Sequence, residues 1–371
     1  MSRFIQVSAP DLSGNEKKYV NDCIDTSWIS SNGTYIKRFE ENFAQFTGAK
    51  HAVSCCNGTV ALHLALLAFD IKPGDEVIVP SLTFISTANA VKYCGATPVF
   101  ADCLPDTWNI DPLDIKKKIT PNTKGIIPVH LYGNPCEMDE IMAIAKKHDL
   151  FVLEDTAESH GAKHNGKTTG AIGDIGIFSF FGNKIITTGE GGMIITDNDE
   201  LANKMRLLKG QGMDPNRRYW FNIVGYNYRM TNIEAAIGLA QLENINEHIK
   251  NRGQVADWYK EFLAPLVENG QIILQKITPN SENVWWMFSI LLPEKSRINR
   301  DELAEKLLKD SIETRPLFYP MHIMPPYLDK NAACPISEQI ALKGLNLPTH
   351  AKLTRDDVLF VCEKIKQYMI G

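Results

Sequence analysis

Between about residue 48 and residue 200 the chain alternates short apolar runs with longer stretches of helical period. The runs at 76–80, 97–101, 125–130, 151–154, 175–180 and 193–196 are apolar almost throughout rather than alternating. That is the pattern of strands covered on both faces. Helical stretches stand between several of them, such as 137–148 after the Gly133-Asn134-Pro135 turn. Repetition of strand, helix and strand predicts an α/β fold with a mostly parallel central sheet. After Asn232 the pattern changes. A long helix is expected at 233–249 and another through Ala256, Trp258, Tyr259 and Phe262. A strand-like run at 285–292, a helix at 301–310, a proline-rich stretch at 315–326 and a closing helix at 354–370 follow. These divide the chain into a large α/β domain, 1–245, and a smaller C-terminal α+β domain, 246–371. A length of 371 residues is more than one core usually spans.

Composition adds exclusions. Hydrophobic residues are 44% and charged residues 22%, ordinary for a globular protein, and the net charge is −5. A negative chain is a poor general binder of polyanions, so nucleic acid is not an expected partner. No run of 18 apolar residues occurs, and the opening residues turn polar by Asp11, so neither a membrane span nor a signal peptide is expected. Eight scattered cysteines with no CxxC pair suit reduced thiols in the cytoplasm. His160 and His164 have ligand spacing only on a helix, which Gly161 and Gly166 oppose, so no metal site is expected.

In open α/β sheets ligands sit at the carboxyl ends of the strands. Three groups of polar residues fall there. Asn57-Gly58-Thr59 precedes an apolar helical run; a plain helix cap is one reading, and a phosphate cradle built from free amides is the other. Glu154-Asp155 ends the 151–154 run; a cap or a solvated acid is one reading, and a carboxylate that keeps a pyridinium nitrogen protonated is the other. Lys184 lies in a glycine- and threonine-rich loop between two buried runs. Most lysines are surface groups, but a desolvated one can lose its proton and act as a nucleophile. The 189–192 segment lacks the G-x-G-x-x-G spacing of a dinucleotide site.

Taken together, Ser54-x-x-Asn57-Gly58-Thr59, Glu154-Asp155-x-Ala157-Glu158, Phe178-Ser179-Phe180-Phe181-Gly182-Asn183-Lys184 and Thr187-Thr188-Gly189-Glu190-Gly191-Gly192 resemble the DegT-type sugar-nucleotide aminotransferases. These are a branch of the fold-type I enzymes that use pyridoxal 5′-phosphate (PLP). Trp28-Ile29-Ser30-Ser31, the 226–232 stretch and Glu313-Thr314-Arg315-Pro316 extend the resemblance from about residue 5 to 368. The resemblance implies that Lys184 is the Schiff-base lysine and proton carrier. Asp155 would pair with the ring nitrogen, Phe84 would stack on the ring, and Glu158 would sit near its 3-hydroxyl or the sugar. Asn57, Gly58, Thr59 and Ser179 would hold the phosphate. Asn227 would reach the cofactor of the neighbouring subunit, making a homodimer with shared active sites. Trp28, Ser30, Arg217, Arg315 and His322 would lie near the nucleotide sugar. Thr156 stands where many relatives carry alanine. Glutamate is the implied donor. The 212–220 and 346–350 stretches resemble the branch that aminates GDP-4-keto-6-deoxymannose. A dTDP- or UDP-linked acceptor, a PLP-dependent sugar dehydratase and a non-catalytic ligand sensor remain open. The Trp285-Trp286 pair is expected in a core or an interface.

Overall fold

The computed structural model describes residues 4–328 and 332–370. In chain order its strands are β1 (His51–Cys55), β2 (Glu76–Pro80), β3 (Thr97–Ala101), β4 (Thr123–Ile126), β5 (Phe151–Asp155), β6 (Lys163–His164), β7 (Lys167–Thr168), β8 (Ile175–Ser179) and β9 (Gly192–Thr196). Then come β10 (Ile273–Leu274), β11 (Ser281–Glu282), β12 (Phe288–Leu291), β13 (Arg315–Pro316) and β14 (Gly344–Leu347). Seven of them form the main sheet, in the order β1-β9-β8-β5-β4-β2-β3. All point one way except β9, which is antiparallel to both of its neighbours.

The apolar runs become strands because both faces of the sheet are covered. On one face the helix Gly58–Ala68 is buried over nearly its whole length, its Leu62, Leu64 and Leu66 packing with Val77, Val79, Ile177 and Ile194. On the other face Phe39 and Phe43 of helix Thr34–Thr47 meet Phe178 and Phe180, with Leu239 of helix Asn232–Glu243 closing the cluster. A fully buried leucine or phenylalanine contributes roughly 1.5–3 kcal/mol, so these two layers hold the sheet rigid behind the site.

A second sheet, β10-β12-β14-β13, is antiparallel throughout. Helices Ile245–Glu268, Arg300–Lys309 and Arg355–Ile370 pack on it through Val255, Tyr259, Leu303 and Val361. The N-terminal segment joins this unit. Ile5 pairs in parallel with Ile312, and its amide donates to the Ser311 carbonyl at 2.8 Å. The Val7 amide donates to a Glu313 carboxylate oxygen at 3.0 Å, and the Val7 carbonyl accepts from Thr349 N–H at 2.8 Å. Ser8 Oγ reaches the carbonyl of Asn183 at 3.1 Å, next to Lys184.

Several elements differ from the pattern read in the sequence. The strand expected at 125–130 is β4, Thr123–Ile126; Pro128 has no N–H to continue the ladder. The long helix expected at 233–249 is two helices. Thr231 and Glu234 form a capping box for the first, and the chain breaks at Asn244 before the second runs through Glu268. β1 at the sheet edge was not anticipated.

Candidate functional site

β2, β5 and β8 and the helix start at Gly58 converge on a cavity of about 450 Å³. Its walls include Asn57, Gly58, Thr59, Phe84, Asp155, Glu158, Ser179, Lys184 and Arg315. The structure therefore brings all the sequence-derived cofactor candidates together except Asn227. The pocket is built from strand ends, as the topology rule for open α/β sheets requires.

Period-two alternation along β5 decides between its two acids. Glu154 turns away from the pocket, is fully buried, and accepts from the amides of Gly170, Ile172 and Gly173 and from His130 Nε2 at 3.0 Å. Asp155 turns into the pocket. It is 5% exposed, and Thr87 Oγ1 donates to it at 2.8 Å and the Ala157 amide at 3.2 Å. Burial raises its carboxyl above the usual carboxylate range, while these donors and Lys184 pull it back. A cation placed beside it would restore its charge. Thr156, between the pocket acids, bonds the Ile177 carbonyl through its hydroxyl and is fully buried, so its difference from alanine is met by the backbone.

Lys184 follows the turn after β8, its amide bonded to the Phe181 carbonyl at 2.9 Å. Its amino nitrogen lies 3.9 Å from the centroid of the Trp286 ring. Burial lowers its affinity for a proton, against the opposing pull of Glu158 and Asp155. Glu158 is 2% exposed and accepts the Tyr132 amide at 2.7 Å. Burial pushes its carboxyl up, and Lys184 opposes that. The pair is thus pushed toward its neutral forms, an amine beside a carboxylic acid, which is the state a proton carrier needs.

At the other end of the cavity Asn57 caps the helix Gly58–Ala68, its side chain accepting from Val60 N–H at 2.9 Å. The amides of Gly58 and Thr59 have no intrahelical partner, as at any helix start. Thr59 Oγ1 lies 2.8 Å from Ser86 Oγ. A Cβ on residue 58 would come 2.7 Å from the Ser179 Cβ, so glycine is what lets the helix start and Ser179 close into one cradle. Free amides, hydroxyls and the helix dipole suit a phosphate.

Four of the five residues expected near the nucleotide sugar are not pocket walls here. Trp28 is exposed, and the Ser30 carbonyl accepts from Asn232 N–H at 2.7 Å. Arg217 stacks on Trp220 at 4.0 Å in an exposed loop, and Asn227 is exposed a few residues further on. His322 is 2% exposed; Ser81 Oγ lies 2.7 Å from its Nδ1 and Glu338 Oε1 lies 3.1 Å from its Nε2. It braces the 313–327 segment on β2 rather than facing this cavity. Arg315, by contrast, lines the pocket, with Glu313 at 3.5 Å. Trp285 and Trp286 are both buried in core clusters, as expected, and Trp286 also walls the cavity along with Met287, Phe318 and Asn346. Sequence pattern had no means to find these, because they come from the small sheet and reach the site only through tertiary packing.

An anion cradle, a half-buried lysine and a buried carboxylate between two apolar walls define a fold-type I PLP enzyme, and these residues fit that cofactor. The chain belongs to the DegT/DnrJ/EryC1/StrS aminotransferase family, whose model matches residues 10–366. It is 54% identical to a GDP-perosamine synthase of Caulobacter vibrioides, over 99% of this chain and 98% of that one. It is 48% identical to a GDP-perosamine synthase of Escherichia coli O157:H7, over 99% of each. Among solved structures, Spr1654 of Streptococcus pneumoniae in a PLP form superposes with a TM-score of 0.92 at 27% identity, over 98% of each chain. This chain is a PLP-dependent aminotransferase.

Gly58→Ala tests the cradle. We expect the apparent Kd for PLP to rise about tenfold, the equivalent of roughly 1.4 kcal/mol. Titration followed by cofactor absorbance reads it, and unchanged affinity would remove the cradle from the account.

Proposed function

We propose that the enzyme transfers the amino group of glutamate to C4 of GDP-4-keto-6-deoxymannose, giving GDP-perosamine. The observation that carries this is end-to-end identity of 54% and 48% with two GDP-perosamine synthases, over a pocket that retains a lysine rather than an inert group at position 184. Retention of Lys184 favours transfer over dehydration.

The cofactor, when bound, supplies an electron sink for the carbon that loses or gains a proton. The protein's own residues do the rest. Asp155, held by Thr87, keeps a proton on the ring nitrogen. Asn57 and the amides of Gly58 and Thr59, with the Thr59 and Ser179 hydroxyls, fix the phosphate and thereby the ring's position. Phe84, a wall of the cavity, would cover one face of the ring. Lys184 takes a proton at Nζ from the donor's α-carbon side and returns one at the sugar carbon. Glu158 stands beside it as the group that shares that proton. Arg315, at the mouth, would meet the anionic part of the substrates.

The proposal includes a homodimer with shared sites. Its support is the apolar run Tyr219, Trp220, Phe221, Ile223 and Val224, the last 91% exposed, a patch that water alone should not face. Asn227 sits at its end, where it would reach the phosphate of the cofactor in the partner subunit; Trp28, Ser30 and Arg217 would complete the nucleotide-sugar site from across the same interface. A cytoplasmic setting goes with this reading and with eight free cysteines. No helix among the described residues is long and apolar enough to cross a membrane.

A product assay tests the acceptor. Enzyme, PLP and glutamate are offered GDP-4-keto-6-deoxymannose beside dTDP- and UDP-linked 4-keto-6-deoxy sugars, with mass-resolved amino sugar and 2-oxoglutarate as readout. We expect amination of the GDP sugar at least about tenfold above the others, a gap of roughly 1.4 kcal/mol in transition-state binding. Preference for a dTDP or UDP sugar would overturn the acceptor, and no 2-oxoglutarate with any acceptor would overturn transfer itself.

A further inference from the structure

The wall facing the strand ends is aromatic and organised around Lys184. Trp286 is 4% exposed, and its ring centroid lies 3.9 Å from the Lys184 nitrogen. Its indole N–H donates to the Asn183 carbonyl at 2.8 Å, one residue before the lysine. Behind the indole the rings of Tyr132 and Phe318 run nearly parallel to it, at 6.1 Å and 6.5 Å, each tilted by 21°. Tyr132 is fully buried, and its hydroxyl accepts the Phe318 amide at 3.1 Å. The hydrogen bond therefore fixes where the indole sits along the lysine loop, and the stack fixes its plane.

A ring face of this kind attracts an ammonium and is indifferent to a neutral amine, and the attraction grows where water is excluded. Other groups also act on Lys184. The carboxylates of Asp155 and Glu158 favour its ammonium, and burial disfavours it. The His160 ring lies within its electrostatic reach, and Glu190 and Arg315 stand on the rims of the cavity. Among these, only Trp286 combines direct contact with a position fixed by bonds to the lysine's own loop.

We propose that Trp286 is a positioning residue, whose indole face holds the free Lys184 amino group in one place and favours its ammonium once Nζ has taken up a proton, so that the proton is delivered from one defined place. The inference rests on Lys184 being the cofactor lysine, as in the proposed function. It names a role for a residue outside the motifs of the sequence, supplied by the small sheet to the catalytic group of the large one.

The experiment uses the full-length holoenzyme in its pyridoxamine-phosphate form, in which Lys184 is a free amine. Competitive trace acetylation across pH, read by peptide mass spectrometry, gives the ionisation of Lys184. Trp286→Phe keeps a ring face without the indole N–H, whereas Trp286→Leu and Trp286→Met remove the face. We expect the Lys184 pKa to fall by about one unit in the Leu and Met variants, roughly a tenfold change in the ammonium-to-amine ratio, and to move little in the Phe variant. With it, kcat should fall about tenfold while KM for glutamate changes less than about threefold. An unmoved pKa in both the Leu and Met variants, or an equal fall in the Phe variant, would overturn the proposal. If Trp286→Leu fails to fold, the Met and Phe pair carries the same comparison. Borohydride reduction of the PLP form separates the two ways of failing. A tag on a residue other than Lys184 removes the proposed function. A tag on Lys184 with an indifferent pKa removes only the role of Trp286.

Discussion

Lys184→Ala should abolish turnover, with kcat falling at least about 10⁴-fold for any acceptor, since one group is both nucleophile and proton carrier. The size of the effect follows from how little else in the pocket can substitute. Glu158 is buried and shares its environment with the lysine, but its carboxylate is held by the Tyr132 amide. Asp155 is tied to Thr87 and Ala157. Arg315 lines the cavity with a partly exposed side chain and does not give up a proton near neutrality. No other lysine lines the cavity among the described residues. Fold should survive, because the side chain is not part of a core cluster and its loop is held by backbone bonds such as Phe180 N–H to the Gly191 carbonyl at 2.8 Å. The measurement is 2-oxoglutarate release with glutamate, at saturating PLP, beside a melting curve. Activity near that of the unaltered enzyme with an unchanged melting curve would remove Lys184 from the chemistry.

The second large effect belongs to Asp155→Asn. An amide at this position keeps the shape; its oxygen can accept from the Ala157 amide while its NH2 donates to the Thr87 hydroxyl, so the pocket should not reorganise. What it loses is the negative charge. A buried carboxylate whose pKa is raised by burial holds its charge only next to a cation, and the protonated ring nitrogen is that cation in the proposed function. Removing a preorganised charge aimed at the reacting system typically costs 10²–10³ in rate. We expect a fall in kcat of about that size with PLP still bound, its absorbance showing occupancy. A variant as fast as the parent would mean that Asp155 shapes the pocket without tuning the cofactor.

The cofactor half of the site was legible in the sequence because it is local. Asn57-Gly58-Thr59, Asp155 with Glu158, and Ser179 with Lys184 each sit on one turn at the end of one buried strand, so a short motif carries both the residue and its placement. Fold class was legible for the same reason: β2, β3, β5 and β8 each carry a mostly apolar stretch bounded by polar residues or turns. β1 was not, since only Ala52 and Val53 are adjacent apolar residues before Ser54, and its burial comes from pairing with β9 more than 130 positions later. The break at Asn244 was hidden because Leu242 and Ile245 stay buried on either side of it and no glycine or proline marks it. The facing wall of the pocket was invisible for a different reason. Trp286, Phe318 and Asn346 lie far apart in sequence and are gathered by β12, β13 and β14. His322 does not take the position the resemblance implied, because Ser81 and Glu338 take up its ring nitrogens.

The N-terminal strap has a consequence for the order in which the chain acquires its structure. Ile5 finds its partner at Ile312, and Val7 finds its own at Glu313 and Thr349. During synthesis these first residues leave the ribosome before any of their partners exist, whereas β2 to β5 lie within 80 residues of one another and can pair while the chain is still growing. The strap is thus made early but can dock only late, and its docking brings Ser8 to the carbonyl of Asn183. The lysine loop takes its final bracing only once nearly the whole chain has been made, so a nascent or C-terminally truncated product would carry the catalytic residue without the support that steadies it.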